Sequence, residues 1–201
     1  MQEHNKASAW FDDLYKEHSS SHENIPWARL EVNPLLDEYI ENNPTKKGKA
    51  LVIGCGLGDD AIALESAGVE VVAIDVAQTA LDLAKERFPN SKVSFIKQDI
   101  FDMPSEYFEH FDFIYEALTI QSLPREFREK MIKAIADSLK KGGEILVVAH
   151  QFNGNTNGPP WPLTKEEIDL FLSQGLKEIS FELIDEISKI SDKKFKVLYT
   201  K

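Results

Sequence analysis

Residues 54–58 read Gly-Cys-Gly-Leu-Gly, three glycines at alternate positions directly after the apolar run Leu51-Val52-Ile53. Glycines there let a backbone turn sharply and approach a ligand without Cβ clashes. In an open parallel sheet, ligands bind beyond the carboxyl ends of the strands. A dinucleotide site wants Gly-x-Gly-x-x-Gly; here the third glycine comes one residue early and Asp59 stands in its place. Asp59 and Asp60 then open a helix, whose N-terminus attracts anions. Carboxylates already there oppose a pyrophosphate, each by about 0.3–1 kcal/mol, so the turn favours a cofactor without phosphates. A tight turn with no ligand is the alternative reading.

Three further signals follow. Asp75 ends Glu-Val-Val-Ala-Ile-Asp, 17 positions past Gly58. A carboxylate at a strand end can accept both hydroxyls of a ribose; its alternative is to cap the next helix. Gln98-Asp99-Ile100 follows a third strand-like run, where Asp99 can take an exocyclic amine of adenine and Ile100 can lie against the ring; a solvated turn is the alternative. Phe111-Asp112-Phe113-Ile114-Tyr115-Glu116-Ala117 brings Tyr115 and Glu116 to the end of a fourth run, to touch cofactor or acceptor unless they merely pack there.

The elements that must position these residues alternate strand with helix. Strands are expected near Ala50–Gly54, Glu70–Asp75, Lys92–Lys97, Phe111–Tyr115 and Glu144–Ala149. Helices are expected near Asp59–Ala67, Thr79–Arg87, Arg125–Lys140 (ended by Gly142-Gly143) and Thr164–Ser173. That alternation implies parallel strands with right-handed crossovers. Runs near Ile179–Ile187 and Lys194–Tyr199 are split by a short turn, Ser191–Lys193, that cannot carry a parallel crossover, so an antiparallel hairpin is expected. The fold class is α/β: a Rossmann-like, mostly parallel sheet with an antiparallel C-terminal hairpin, helices on both faces and an N-terminal helical cap. Residues 1–46, with Trp10, Phe11, Leu14 and Tyr15 at helical spacing and a second helical pattern around Leu30–Ile40, form that cap as part of one domain; residues 47–201 carry the cofactor.

The chain has 201 residues, enough for one well-buried α/β domain. Its net charge of −11 opposes a phosphate-binding surface, so nucleic acid is not an expected partner. Cys55 is the one cysteine and excludes an intrachain disulfide. No apolar run approaches the roughly 20 residues of a membrane span, and the polar start of the sequence lacks a signal-peptide pattern. The expected location is the cytoplasm. His4, His18, His22 and His110 show no ligand spacing with Cys55, so no metal site is expected.

In this order and at these distances, the four signals resemble the class I S-adenosylmethionine-dependent methyltransferases over about residues 48–150. The resemblance implies a seven-stranded sheet with the last strand antiparallel, S-adenosyl-L-methionine as cofactor and S-adenosyl-L-homocysteine as product. It implies that Gly54, Gly56 and Gly58 pass the methionine portion, that Asp75 holds the ribose and that Asp99 with Ile100 cradles adenine. Cys55, Val76, Glu116 and Trp27 complete the expected cofactor-lining set, Cys55 as a small packing residue rather than a nucleophile. The commonest pattern has an acid two positions before the first glycine; Val52 stands there instead. That departure looks like the thiopurine methyltransferase branch, whose relatives act on thiols, halides or metalloids. Trp10, the pair Pro26-Trp27, Thr119–Pro124 and Gly158-Pro159-Pro160-Trp161 lean the same way.

The implied reaction is methyl transfer to a small-molecule acceptor, favoured as a thiol or other soft nucleophile. Such an acceptor ionises near neutral pH and needs little base catalysis; an alcohol would need a general base. His150 is the best-placed base, and Trp10, Tyr115, Gln121, Gln151 and Trp161 are candidate walls of the acceptor pocket. Alternatives are an O- or N-methyltransferase of a small metabolite, a nucleotide-binding oxidoreductase, and a non-catalytic nucleotide-binding module.

Overall fold

The computed structural model describes residues 7–44, 48–154, 157–185 and 190–201. His4 and the last two residues of the expected Ile179–Ile187 strand lie outside them. Seven strands form a sheet in the order β3-β2-β1-β4-β5-β7-β6. The chain divides into two compact units, Met1–Asp99 and Ile100–Lys201.

In the first unit, β1 (Lys49–Ile53), β2 (Glu70–Asp75) and β3 (Ser94–Lys97) run parallel, with Leu51 opposite Val72 and Ala73 opposite Phe95. Ala50 to Ile53 and Val71 to Ile74 are buried without alternation, as strands covered on both faces require. Before them lie α1 (Trp10–Glu17) and α2 (Pro34–Asn42). α2 starts later than the expected Leu30, because Pro34 fits the first helical turn and the Asn33 side chain caps Leu35 N–H at 3.1 Å. Helix α3 (Asp59–Ser66) follows the glycine turn, and α4 (Gln78–Arg87) follows β2.

In the second unit, β4 (Phe111–Ala117) pairs in parallel with β5 (Leu139–His150). Between them, a 3-10 turn at Arg125–Phe127 leads into α5 (Arg128–Ser138). The expected helix to Lys140, ended by Gly142-Gly143, is corrected here. It stops at Ser138, because the carbonyls of Asp137 and Ser138 accept the N–H groups of Glu109 and His110. The glycines instead lie within β5, across a shift in its register with β4. The expected Thr164–Ser173 helix is two short ones, α6 (Lys165–Ile168) and α7 (Leu170–Ser173), with Thr164 closing a capping box on Glu167. β7 (Lys193–Thr200) is antiparallel both to β5 and to β6 (Lys177–Asp185), and so lies between them. The expected antiparallel pair is therefore present, with β7 starting inside the expected turn.

Candidate functional site

β1 feeds the turn at 54–58, whose glycines have φ of +62°, +50° and +89°. Two of them are also sterically crowded, so that a side chain there would force a neighbour to move. A Cβ on Gly56 would stand 2.9 Å from Tyr15 Oη; one on Gly58 would stand 3.0 Å from the Phe95 ring and 3.2 Å from Ala84 Cβ. Asp75 ties this turn to the end of β2. Its Oδ2 accepts Gly56 N–H and its Oδ1 accepts Ala77 N–H, each at 2.9 Å. The second bond shapes the approach to α4, but the N-cap position of that helix is Ala77, so the alternative that Asp75 caps it does not hold. A carboxylate has about four lone-pair sites, and these two N–H groups leave room for a pair of hydroxyls. Burial raises the Asp75 pKa, against the N–H groups of Ala77, Gly56 and Val76. Gln98 N–H donates to the Asp75 carbonyl at 3.0 Å, which brings Gln98-Asp99 to the end of β2. Val76 and Asp99 are half-buried there.

The helix start beside the turn is electrostatically committed. Arg87 grips both oxygens of Asp59 at 2.6 Å and donates to the Leu57 carbonyl at 2.7 Å. Asp60 accepts Asn33 N–H at 2.7 Å. The residues present fit a ligand that leaves the anion position of α3 alone, as an adenosyl sulfonium does. Burial pushes the Cys55 thiol well above its ordinary pKa, as suits a packing residue.

The N-terminal segment stands over this turn. Trp27 lies edge-on to Trp10, Phe11 and Tyr15 at 5.7, 5.7 and 5.8 Å, and Trp10 stacks on Phe11 at 4.1 Å. Tyr15, Ile25, Leu57, Ala77, Ala80 and Leu83 form the core beneath, with Phe11 and Trp27 against it. Two residues were missed as site residues by sequence reasoning. Tyr15 is 3% exposed and its hydroxyl accepts Trp27 Nε1–H at 2.8 Å, which leaves its own proton to donate. Burial and the Asp75 charge push its pKa up, so it stays neutral. Asp12 accepts Thr79 N–H at 2.8 Å, at the start of α4, and pairs with Lys16 at 2.8 Å. Burial opposes its ionisation, but the Lys16 and Thr79 bonds win and hold its pKa at about 2. The signal for Tyr15 was its helical spacing with Trp10 and Phe11, which reads equally well as core.

The second unit gathers most of the expected acceptor-side residues at the carboxyl ends of β4 and β5. Gln121 is buried; its side-chain oxygen accepts His150 N–H at 2.8 Å and its carbonyl accepts Trp161 N–H at 2.7 Å. The His150 carbonyl accepts Leu163 N–H at 2.9 Å. His150 is buried, not a surface histidine, and Gln151 continues β5 half-buried. Trp161 packs on Gly158, where a Cβ would meet its ring at 2.4 Å. Buried Arg128 fixes this loop by donating to the Trp161 carbonyl, and it is paired with Glu167, as is Arg125 at 2.6 Å. Ile100 is buried in a 3-10 turn, Ile100–Asp102. Tyr115 and Glu116 are buried in β4, 1% and 0% exposed. Glu116 Oε1 accepts the N–H groups of Thr119 and Ile120 at 2.7 and 2.9 Å. Burial pushes its pKa to about 7, against those two N–H groups. Among the described residues no group of three or more His, Cys, Asp or Glu is placed to hold a metal ion.

Comparison with known proteins identifies the family. The thiopurine S-methyltransferase (TPMT) family profile matches residues 15–199. Thiocyanate methyltransferase 1 of Arabidopsis thaliana is 30% identical over 165 residues, covering 78% of this chain and 70% of that protein. Thiopurine S-methyltransferase of Legionella pneumophila (strain Philadelphia 1) is 30% identical over 191 residues, covering 86% and 84%. The N-methyltransferase NodS of Bradyrhizobium japonicum WM9, solved with S-adenosyl-L-homocysteine, shares the fold with a TM-score of 0.74 at 20% identity, over 94% of this chain and 99% of that one. The oxidoreductase alternative falls with these matches. The chain therefore belongs to the thiopurine S-methyltransferase family and is an S-adenosylmethionine-dependent methyltransferase.

Proposed function

We propose that this enzyme methylates a small thiol or related soft nucleophile, with the cofactor held by the 54–58 turn and Asp75. The observation that carries the cofactor half is the Gly56 N–H to Asp75 Oδ2 bond. It makes one rigid unit of a bare backbone cradle and a carboxylate with spare acceptor capacity. S-adenosylmethionine supplies, when bound, a methyl group on a sulfonium, already activated for displacement. Asp75 accepts the ribose hydroxyls, Asp99 and Ile100 take adenine, and Cys55, Val76 and Glu116 line the cofactor. Residues 1–46 act as a cap on the same domain, in which Tyr15 and Trp27 exclude water from the turn. Trp10, Tyr115, Gln121, His150, Gln151 and Trp161 bound the acceptor. The soft-acceptor reading is supported by relatives whose names specify thiocyanate and thiopurine. The chain's residues thus contribute orientation more than chemistry, since the methyl is activated on arrival.

The net charge of −11 and the lack, among the described residues, of a helix long and apolar enough to cross a membrane support a cytoplasmic enzyme that engages neither nucleic acid nor membrane. Calorimetry with S-adenosylhomocysteine and a labelled-methyl assay over thiols, thiocyanate, alcohols and amines test the reading. Binding of the product with turnover confined to sulfur acceptors is the expected result. Turnover confined to alcohols or amines overturns the soft-acceptor assignment, and binding with no turnover across the panel points to a non-catalytic module.

A further inference from the structure

Glu116 is the most unusual side chain in the second unit. It is fully buried, and one oxygen is committed to Thr119 and Ile120. The other, Oε2, is buried with no hydrogen-bond partner among the described residues. A buried carboxylate oxygen left unpaired costs about 1–3 kcal/mol or more, so such a group calls for a role. The turn it holds is itself strained: Leu118 has φ +63°, a conformation that costs a non-glycine residue about 1–2 kcal/mol. Strain and an orphaned acceptor at one strand end are the marks of a site kept for function. That same turn carries Gln121, which binds His150 and Trp161, the proposed acceptor walls.

From this geometry we infer that Glu116 is a catalytic base that takes the proton of a thiol acceptor through Oε2. The inference rests on the soft-acceptor reading above and deepens it. The S–H bond breaks as its proton moves to Oε2. The sulfur electron pair forms the new S–CH3 bond while the methyl–sulfonium bond breaks, leaving a neutral thioether. Glu116 then loses its proton to water. A thiol with an ordinary pKa of about 8.5 is about 3% ionised at pH 7, so such a base can gain up to about thirtyfold there.

The charged and titratable groups on the surrounding elements of this unit do not set its behaviour. β5, which places Val147 opposite Glu116, carries Lys140, Lys141, Glu144 and His150. α5 contributes Arg128, already paired with Glu167. The upward shift of the Glu116 carboxyl comes from burial, opposed by two backbone N–H groups, with no charged side chain among its causes.

The decisive variant is Glu116→Gln, which keeps an Oε1 acceptor for Thr119 and Ile120 but cannot take a proton. Its kcat/KM is measured between pH 6 and 9.5 with an aliphatic thiol of pKa about 8.5 and with an aromatic thiol already ionised at pH 7. The expected result is a loss of about ten- to thirtyfold at pH 7 with the aliphatic thiol, shrinking as pH rises past its pKa, and a distinctly smaller loss with the aromatic one. Equal losses with both thiols, or a loss that does not change with pH, overturn the proposal. If the variant does not fold, the wild-type profile with the aliphatic thiol decides: an acid limb near pH 7, well below the thiol pKa of about 8.5, supports the base, and a limb at the thiol's own pKa overturns it. Failure of the soft-acceptor reading is distinct, because wild type then turns over neither thiol while still binding S-adenosylhomocysteine.

Discussion

Gly56→Ala tests whether the tyrosine hydroxyl and the glycine turn form one mechanical unit. The added methyl sits at φ +50°, which costs about 1–2 kcal/mol. It also stands 2.9 Å from Tyr15 Oη, closer than real Cβ atoms come to a neighbour. Tyr15 must retreat, and the Trp27 Nε1–H bond at 2.8 Å is lost with it, for about 0.5–1.5 kcal/mol more. The sum is about 2–3 kcal/mol, or a drop in Tm of about 5–10 °C for a chain of this size. Tyr15→Phe alone loses about 1 kcal/mol, from the same bond. The double variant has no hydroxyl to collide with and no bond left to lose, so it falls short of the sum by about 1 kcal/mol, within the usual range for touching residues. Urea unfolding of wild type, both single variants and the double variant closes this cycle. Strict additivity would refute the claim that the hydroxyl rests on the turn.

Asp75→Asn keeps the shape of the side chain but loses its charge, and weakens S-adenosylhomocysteine binding about ten- to a hundredfold, the worth of one or two charge-assisted bonds; unchanged affinity by calorimetry means the ribose lies elsewhere. Asp12→Asn lowers Tm by a few degrees at neutral pH. Because the folded pKa of Asp12 is depressed to about 2, its contribution is present above the ordinary carboxylate range and is lost as pH falls through about 2, so the melting curves of variant and wild type converge on acidification. Glu116 has the opposite sign. Its folded pKa is raised to about 7 from 4.5, so folding favours the protonated form and that contribution fades as pH climbs between those values; Glu116→Gln should gain on wild type from pH 5 to 8, by up to about 3 kcal/mol, and a constant difference in denaturant unfolding contradicts it. Glu167→Ala strands buried Arg128 without its carboxylate and costs about 3–5 kcal/mol, read as a lowered midpoint in the same assay.

Much of the fold was legible because the features that set it are local. Unbroken apolar runs such as Glu70–Asp75 announce strands covered on both faces, and the glycines at 54, 56 and 58 announce a turn with left-handed backbone. Asp75 was legible as a strand-end carboxylate, although nothing local reveals that it also holds Gly56 and Ala77. The end of α5 was not legible. Gly142-Gly143 looks like the stop, but the carbonyls near Ser138 are claimed by Glu109 and His110 from a distant stretch. Tyr15 was hidden for the same reason: at helical spacing a core aromatic and a site aromatic look alike, and the separation of 41 positions between it and Gly56 carries no sequence signature. The pairing of Gln121 with His150 is likewise a product of two strand ends meeting. Local chemistry is written in the sequence, whereas partnerships across the sheet are written only in the folded chain.

The placement of β7 between β5 and β6 has a consequence for how the polypeptide matures. Synthesis proceeds from the N-terminus, so β6 emerges before the strand it pairs with. During that interval the nascent segment carries Ile179, Phe181 and Leu183 with no hydrogen-bonding neighbour, a template for intermolecular pairing. When Lys193–Thr200 follows, a single insertion joins β5 on one side and β6 on the other. Solubility during expression is therefore expected to hinge on how quickly that insertion happens once both segments are free of the ribosome, and a substitution that weakens β7 pairing should raise the aggregated fraction.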